Sequence, residues 1–360
     1  MGGRRRPATS RRCGGAAAVQ RLSIPIDSDQ GRGRAVSYHK KLSKSGWNKN
    51  HQRFRASVYW TYVAERIAVM LKRSNLLALA LGSAVALTAV ADAEAKPPQF
   101  AEIWAFGDSL SDPGNFFAFT GGVEPPSILP ETNPLVVGYT DGRYTDGFLW
   151  VERLAPLLGA ETIYGLAIGG AYAGENNQFA PGPLGLLNQV KASGADSSDL
   201  VTIWVGANDY FAWTLDPLGS IANSCIAAGL LPPNDAAACA ALVVGDIVDA
   251  IEVLHEGGAR TFLIANLPDL GANPFGSALE LQFPGTQGLL RGITVAHNQL
   301  LAGAIKTLRS SSAFADSSFV LLDMFTGFNE LIARSERYNI SQTDSGCLFR
   351  DLTDVEVPVI

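Results

Sequence analysis

Histidine is scarce in this chain of 360 residues: there are four, and only His255 and His297 lie beyond residue 95. Cysteine is equally rare, at four, and no two stand in a C-x-x-C pair. H-E-x-x-H is absent, as is a Gly-rich loop ending in Lys, so zinc-protease, thioredoxin-type redox and nucleotide-phosphate chemistry have no motif to stand on. Ser109 is the only serine two places after a Gly, and Ser111 rather than Gly follows two later, which removes the G-x-S-x-G elbow of another hydrolase class. No metal and no cofactor are called for. What is plentiful is apolar residue: 47% of the chain is hydrophobic and only 17% charged, the balance of a large folded core.

Charge divides the chain. Residues 1–73 hold 17 of the 28 Lys and Arg but 3 of the 34 acids; from Lys96 onward there are 29 acids against 11 bases, a balance of −18. Between the two regions lies "MLKRSNLLALALGSAVALTAVADAEA", a start residue, the basic pair Lys72 and Arg73, an apolar stretch from Leu76 to Val90, and small residues in A-x-A order. That is the pattern of a secretory signal peptide over 70–95, with cleavage after Ala93 or Ala95. The stretch is shorter than the ~20 residues a membrane span needs. A signal peptide acts at an N-terminus, so residues 1–69 read as an upstream extension, disordered and absent from the working protein. A basic nucleic-acid arm or an organelle transit peptide is the competing account. The expected location is secreted or periplasmic, with an acidic mature surface that has no use for nucleic acid. Cys225 and Cys239 bracket a Pro- and Ala-rich insertion that a disulfide would close; two separate buried thiols are the alternative. Cys347 is left without a partner.

From residue 96 to 360 the pattern is one domain. Apolar runs at 101–106, 161–169, 200–206, 260–266 and 318–325 are nearly continuous, as strands buried on both faces are. Helical patterns separate them, the clearest at 146–159, 237–258 and 289–310. Alternation of this kind predicts an α/β fold with a parallel sheet of about five strands and helices on both sides.

Ligands of open parallel sheets sit beyond the carboxyl ends of the strands. After the first run comes "GDSLSD" with Asp108 and Ser109, after the second "GGAYAG" with Gly169 and Gly170, and after the third "GANDY" with Asn208 and Asp209. A turn is the plain reading of the first, since Gly, Asp and Ser favour turns. The functional reading is acyl transfer. Ser109 would attack an ester carbonyl, and the N–H of Ser109, the N–H of Gly170 and the side-chain amide of Asn208 would meet the developing oxyanion. Asp108 and Asp112 would fix the turn, with Gly169 and Asp209 in support. Metal ligands are absent from this set.

The blocks "FGDSLSDPGN", "GRYTDGFLWVERLA", "AIGGA", "VGANDYF" and "GARTFLIANLPDLG", in this order from about residue 100 to 350, resemble the GDSL-type branch of the SGNH hydrolase family, secreted esterases and lipases that include lecithinase-like members. The resemblance implies a three-layer, flavodoxin-like α/β/α fold and metal-free hydrolysis of carboxylic esters, with lipid or small acyl esters as substrate. It implies Ser109 as nucleophile and Gly170 and Asn208 as oxyanion donors. The Asn usual before the Gly block is Gly165 here. The family also carries its catalytic Asp and His as Asp-x-x-His near the C-terminus, and this chain has no such motif. Glu252-Val-Leu-His255 is a near match, but it ends a helix at the opposite rim of the sheet; His297 falls in mid-helix. Two explanations fit: a chain cut short, favoured by the unpaired Cys347, or a non-catalytic relative that binds acyl or glycan ligands.

Two aromatic clusters, "NFFAF" (115–119) and "YFAW" (210–213), read as core or acyl-pocket lining, or alternatively as contact patches. The Pro-rich loop 116–139 is expected to overhang the crevice.

Overall fold

The computed structural model describes residues 100–122, 142–145, 147–216 and 221–338, residues 340 and 343, and the backbone of Tyr38–Lys41. The signal-type segment, Cys347 and most of the loop 116–139 fall outside these residues.

Six strands form one sheet. They are β1 (Tyr38–Lys41), β2 (Glu102–Gly107), β3 (Thr162–Gly165), β4 (Leu200–Trp204), β5 (Thr261–Ala265) and β6 (Ser318–Leu322), in the spatial order β1-β3-β2-β4-β5-β6. The last five are mutually parallel, as the apolar runs predicted. Taken alone they have the 2-1-3-4-5 order of a flavodoxin-like sheet. The chain reverses direction across the sheet between β2 and β4, whose carboxyl ends therefore open a crevice. β1 is the one strand the sequence did not suggest. It comes from the basic 1–69 segment and pairs antiparallel with β3 at the sheet edge, Tyr38 opposite Gly165 and Lys41 opposite Thr162.

Both faces of the inner strands β2, β4 and β5 are buried, which is why they read as nearly unbroken apolar runs. Trp104, Phe106, Val201, Ile203, Phe262 and Ile264 point to one face. Ile103, Ala105, Leu200, Trp204, Leu263 and Ala265 point to the other. The first face is covered by α3 (Leu186–Val190), α4 (Ala207–Leu215), α6 (Ala236–Glu256) and α8 (Thr286–Ser310). The second is covered by α2 (Trp150–Leu158) and α9 (Met324–Ala333). Short α1 (Asn115–Phe119), α5 (Ser224–Ala227) and α7 (Pro274–Gln282) complete the chain order. Helix α2 is capped at its start by Glu152, third residue of the helix, whose carboxylate accepts the N–H of the preceding Leu149 at 3.0 Å. The helix stops at Gly159, which takes the left-handed conformation with φ 75°.

The insertion between α4 and α6 is tied by a disulfide between Cys225 and Cys239, which decides between the two readings of that pair. No helix among the described residues is long and apolar enough to cross a membrane. The two aromatic clusters part company. Tyr210 and Trp213 are fully buried, so "YFAW" is core, whereas "NFFAF" buries Phe116 and leaves Phe119 half exposed.

Candidate active site

Ser109 stands two residues beyond β2, at the crevice. Gly107 ends the strand with φ 136°, and a Cβ there would collide with the carbonyl oxygen of Trp204 on β4. Only glycine lets β2 leave the sheet so close to its neighbour. The chain then turns sharply. The Asp108 N–H donates to Trp204 O at 3.3 Å, Ser111 N–H donates to Asp108 O at 3.0 Å, and Leu110 N–H donates to Asp108 Oδ1 at 3.0 Å. Ser109 occupies the corner of this turn, half buried, with neither its hydroxyl nor its N–H hydrogen-bonded among the described residues. The turn reading of "GDSLSD" therefore holds, with Ser109 at its corner. Ser111 faces inward and accepts the indole N–H of Trp150 at 3.0 Å, which anchors the turn to α2.

Asp112 joins this turn to the loop after β3. Its carboxylate accepts four backbone N–H groups: Gly114 at 2.7 Å, Asn115 at 2.6 Å, Phe116 at 3.1 Å and, from the second loop, Gly169 at 2.7 Å. Next to Gly169, Gly170 is left-handed with φ 77°, and its N–H has no acceptor among the described residues. The loop after β4 is tied in as well. Asn208, in the first turn of α4, donates from Nδ2 to Ala171 O at 3.1 Å, which occupies one of its two amide hydrogens. Asp209 points inward, fully buried, and its Oδ2 accepts the Ala173 N–H at 3.0 Å. Three sequence-distant loops thus meet at the carboxyl ends of three adjacent strands, as the strand-end argument anticipated.

Several residues that build this rim carried no signal in the sequence. Gln189 on α3 grips both polar groups of Gly107, accepting its N–H and donating to its carbonyl oxygen, each at 2.9 Å. Asn115 donates to Gly165 O at 2.8 Å and Ala167 O at 2.9 Å. Asn177, fully buried, donates to Gly169 O at 2.7 Å. Nothing in their spacing distinguishes these amides from surface Gln and Asn; only contact across the fold reveals them. The family departure at Gly165 has a local reason, since a side chain there would bring its Cβ to 2.7 Å from the ring of Pro113.

Burial dominates the electrostatics. Asp108 is raised to about 7 because its carboxyl is shut away from water, with the negative Asp112 nearby adding to the effect. Asp112 is raised to about 6 by burial, which outweighs the N–H groups it accepts. Asp209 is pushed well above the usual carboxylate range for the same reason. All three fit positioning roles, carrying hydrogen bonds into the protein rather than charge toward a ligand.

His255 and His297 fall where the sequence placed them. His255 closes α6 at the amino-end rim, beside Asp316 (Nε2 to Oδ1, 3.4 Å) just ahead of β6. His297 is fully buried in α8, its Nδ1 hydrogen-bonded to the Tyr210 hydroxyl at 2.7 Å, and burial lowers it to about 3. Neither is hydrogen-bonded to Ser109.

Comparison with known proteins agrees with this architecture. The profile of the family described as GDSL-like Lipase/Acylhydrolase matches residues 103–354. The phosphatidylcholine-sterol acyltransferase of Aeromonas hydrophila is 29% identical over 259 residues, 69% of this chain and 66% of that protein. The secreted effector protein SseJ of Salmonella typhimurium is 29% identical over 210 residues, covering 57% of this chain and 42% of its own length. A GDSL esterase/lipase of Arabidopsis thaliana is 28% identical over 275 residues, 62% of this chain and 66% of that protein. The chain thus spans less than two thirds of the length of each of these curated relatives. With the matched region covering well over half of the chain, and running from β2 through the last described helix, this protein belongs to the GDSL-like lipase/acylhydrolase family.

Proposed function

We propose that this protein hydrolyses carboxylic esters through Ser109. The hydroxyl oxygen attacks the ester carbonyl carbon and gives up its proton to a base. The tetrahedral oxyanion collapses and expels the protonated alcohol, and water then releases the acid from the acyl-serine. The observation that carries the reading is the pair of unaccepted N–H groups, Ser109 and Gly170, on loops pinned together by Asp112, with an amide hydrogen of Asn208 left over beside them. Such preorganised donors are what an oxyanion requires, each contributing about 3 kcal/mol to the transition state.

The general base is the open element, because neither His255 nor His297 is bonded to Ser109. That observation favours a second reading, a relative that binds acyl or glycan ligands without efficient turnover. Both are tested by one assay. Hydrolysis of p-nitrophenyl butyrate is measured for the chain and for Ser109→Ala over a series of imidazole concentrations. Imidazole supplies a base, so the rate should rise more steeply for the intact chain than for the variant. Coincident rates at every imidazole concentration would remove Ser109 from the chemistry and leave the binding reading.

Export belongs to the same proposal. The Cys225–Cys239 bond suits an oxidising compartment, and one of the relatives is itself named as a secreted effector. The segment 70–95 is the proposed signal peptide, with Lys96 or Glu94 as the expected terminus of exported protein; cleavage there would remove the edge strand β1 and leave the five parallel strands that carry the site.

A further inference from the structure

We propose that Phe179, backed by Phe116 and Phe119, sets acyl-chain preference at the Ser109 site by packing its ring on the hydrocarbon next to the ester carbonyl. The proposal rests on the ester-hydrolase reading and supplies the substrate feature which that reading leaves open.

Phe179 is 62% exposed, yet it is held directly over a candidate oxyanion donor: a Cβ on Gly170 would lie 2.6 Å from its Cδ2 atom. The ring thus touches the backbone of Gly170 in a space that any side chain at position 170 would fill. Behind it sits buried Phe116, with ring centroids 6.5 Å apart, and Phe116 in turn lies 6.3 Å from Phe119, which is 54% exposed. The three rings form one apolar wall at the rim.

The wall is also rigid. Phe179 N–H donates to Asn177 Oδ1 at 2.9 Å, while Asn177 Nδ2 donates to Gly169 O and Gln178 N–H donates to Gly170 O at 2.8 Å. A fully buried amide therefore locks the segment carrying Phe179 onto the glycine loop. Leaving an aromatic ring in water forgoes the free energy of its burial, and an exposed apolar patch beside a polar site marks a place where something binds. A carbonyl oxygen resting on the Gly170 N–H puts the atoms attached to that carbonyl against this ring. Of the two arms of a lipid ester, the acyl arm is hydrocarbon and the alcohol arm carries the polar groups. Phe179 and Phe119 match the former.

The test compares p-nitrophenyl acetate with p-nitrophenyl octanoate, which share one leaving group, for the intact chain, Phe179→Ala and Phe119→Ala. Phe179→Ala should lower kcat/KM on the octanoate at least about tenfold relative to the acetate, the size of effect apolar pocket contacts give. Its unfolding midpoint should be unchanged, because the ring is exposed. Equal losses on both esters, or none, would overturn the proposal. A second measurement stands apart from catalysis: calorimetric binding of decanoate to Ser109→Ala and to Ser109→Ala/Phe179→Ala. Binding weakened about tenfold in the double variant supports the acyl wall even if no ester is turned over, whereas equal affinity sinks it.

Discussion

Asp112 and Gly169, 57 residues apart, are joined by a 2.7 Å hydrogen bond from backbone N–H to buried carboxylate, and this contact couples the serine turn to the glycine loop. The same carboxylate accepts three further N–H groups at the start of α1. Asp112→Ala strands all four donors, and the unfolding free energy should fall by about 3 kcal/mol or more in a urea titration. Because the bond spans the two halves of the candidate oxyanion site, kcat should fall in the variant more than KM rises.

Asp108 should make stability depend on pH. Its folded pKa, about 7, lies above the ordinary value of 3.8, so the folded chain holds this proton more tightly than the unfolded chain does. The contribution is fully present below pH 4 and is lost as pH rises through about 7. Asp108→Asn keeps an acceptor for the Leu110 N–H but has no proton to lose. The variant should therefore gain on the wild type between pH 4 and pH 8, on the order of 4 kcal/mol across that range. Parallel stability curves in urea titrations at the two ends of the range would contradict the assignment.

Gly107→Ala should be poorly tolerated. The new methyl would have to occupy the position of the Trp204 carbonyl, at a backbone angle that L-residues avoid. Loss of soluble, cooperatively unfolding protein is the expected outcome, while alanine at Gly288 or Gly292, exposed in α8 with open space at the Cβ, should cost nothing measurable. Circular dichroism melts of the three variants make the comparison.

The Cys225–Cys239 bond joins residues 14 positions apart. Replacing both residues with Ser should lower stability by about 3 kcal/mol, and dithiothreitol should lower the melting temperature of the wild type but not of the variant. The effect on ester hydrolysis should be indirect. Asn223, just ahead of the disulfide, donates to the backbone oxygen of Asp209 at 2.8 Å, next to Asn208.

The inner parallel strands β2, β4 and β5 were legible because each is buried on both faces and so is written mostly in apolar residues. β4 is the clearest case, with all five residues of Leu200–Trp204 buried. The turn at Ser109 was legible because its tight geometry demands Gly107 and the short acids around it. Helix α4 was not recognised as a helix, for its start is a left-handed Gly206 with no side-chain cap. Nor was β1 foreseen: Tyr38–Lys41 is polar and sits at a sheet edge, where pairing depends on the neighbouring strand more than on its own composition. Gln189, Asn115 and Asn177 were invisible for the opposite reason, since their work consists of hydrogen bonds to backbone atoms of other loops, which spacing along the chain does not mark.

Gln189 has one more consequence. Its amide reaches Gly107, 82 positions earlier in the chain, so the contact forms only after a long loop has closed. During synthesis the turn that carries Ser109 emerges well before α3, and until that helix docks, neither polar group of Gly107 has this partner. The turn at Ser109 thus takes its final geometry late in folding, once Gln189 has closed on Gly107.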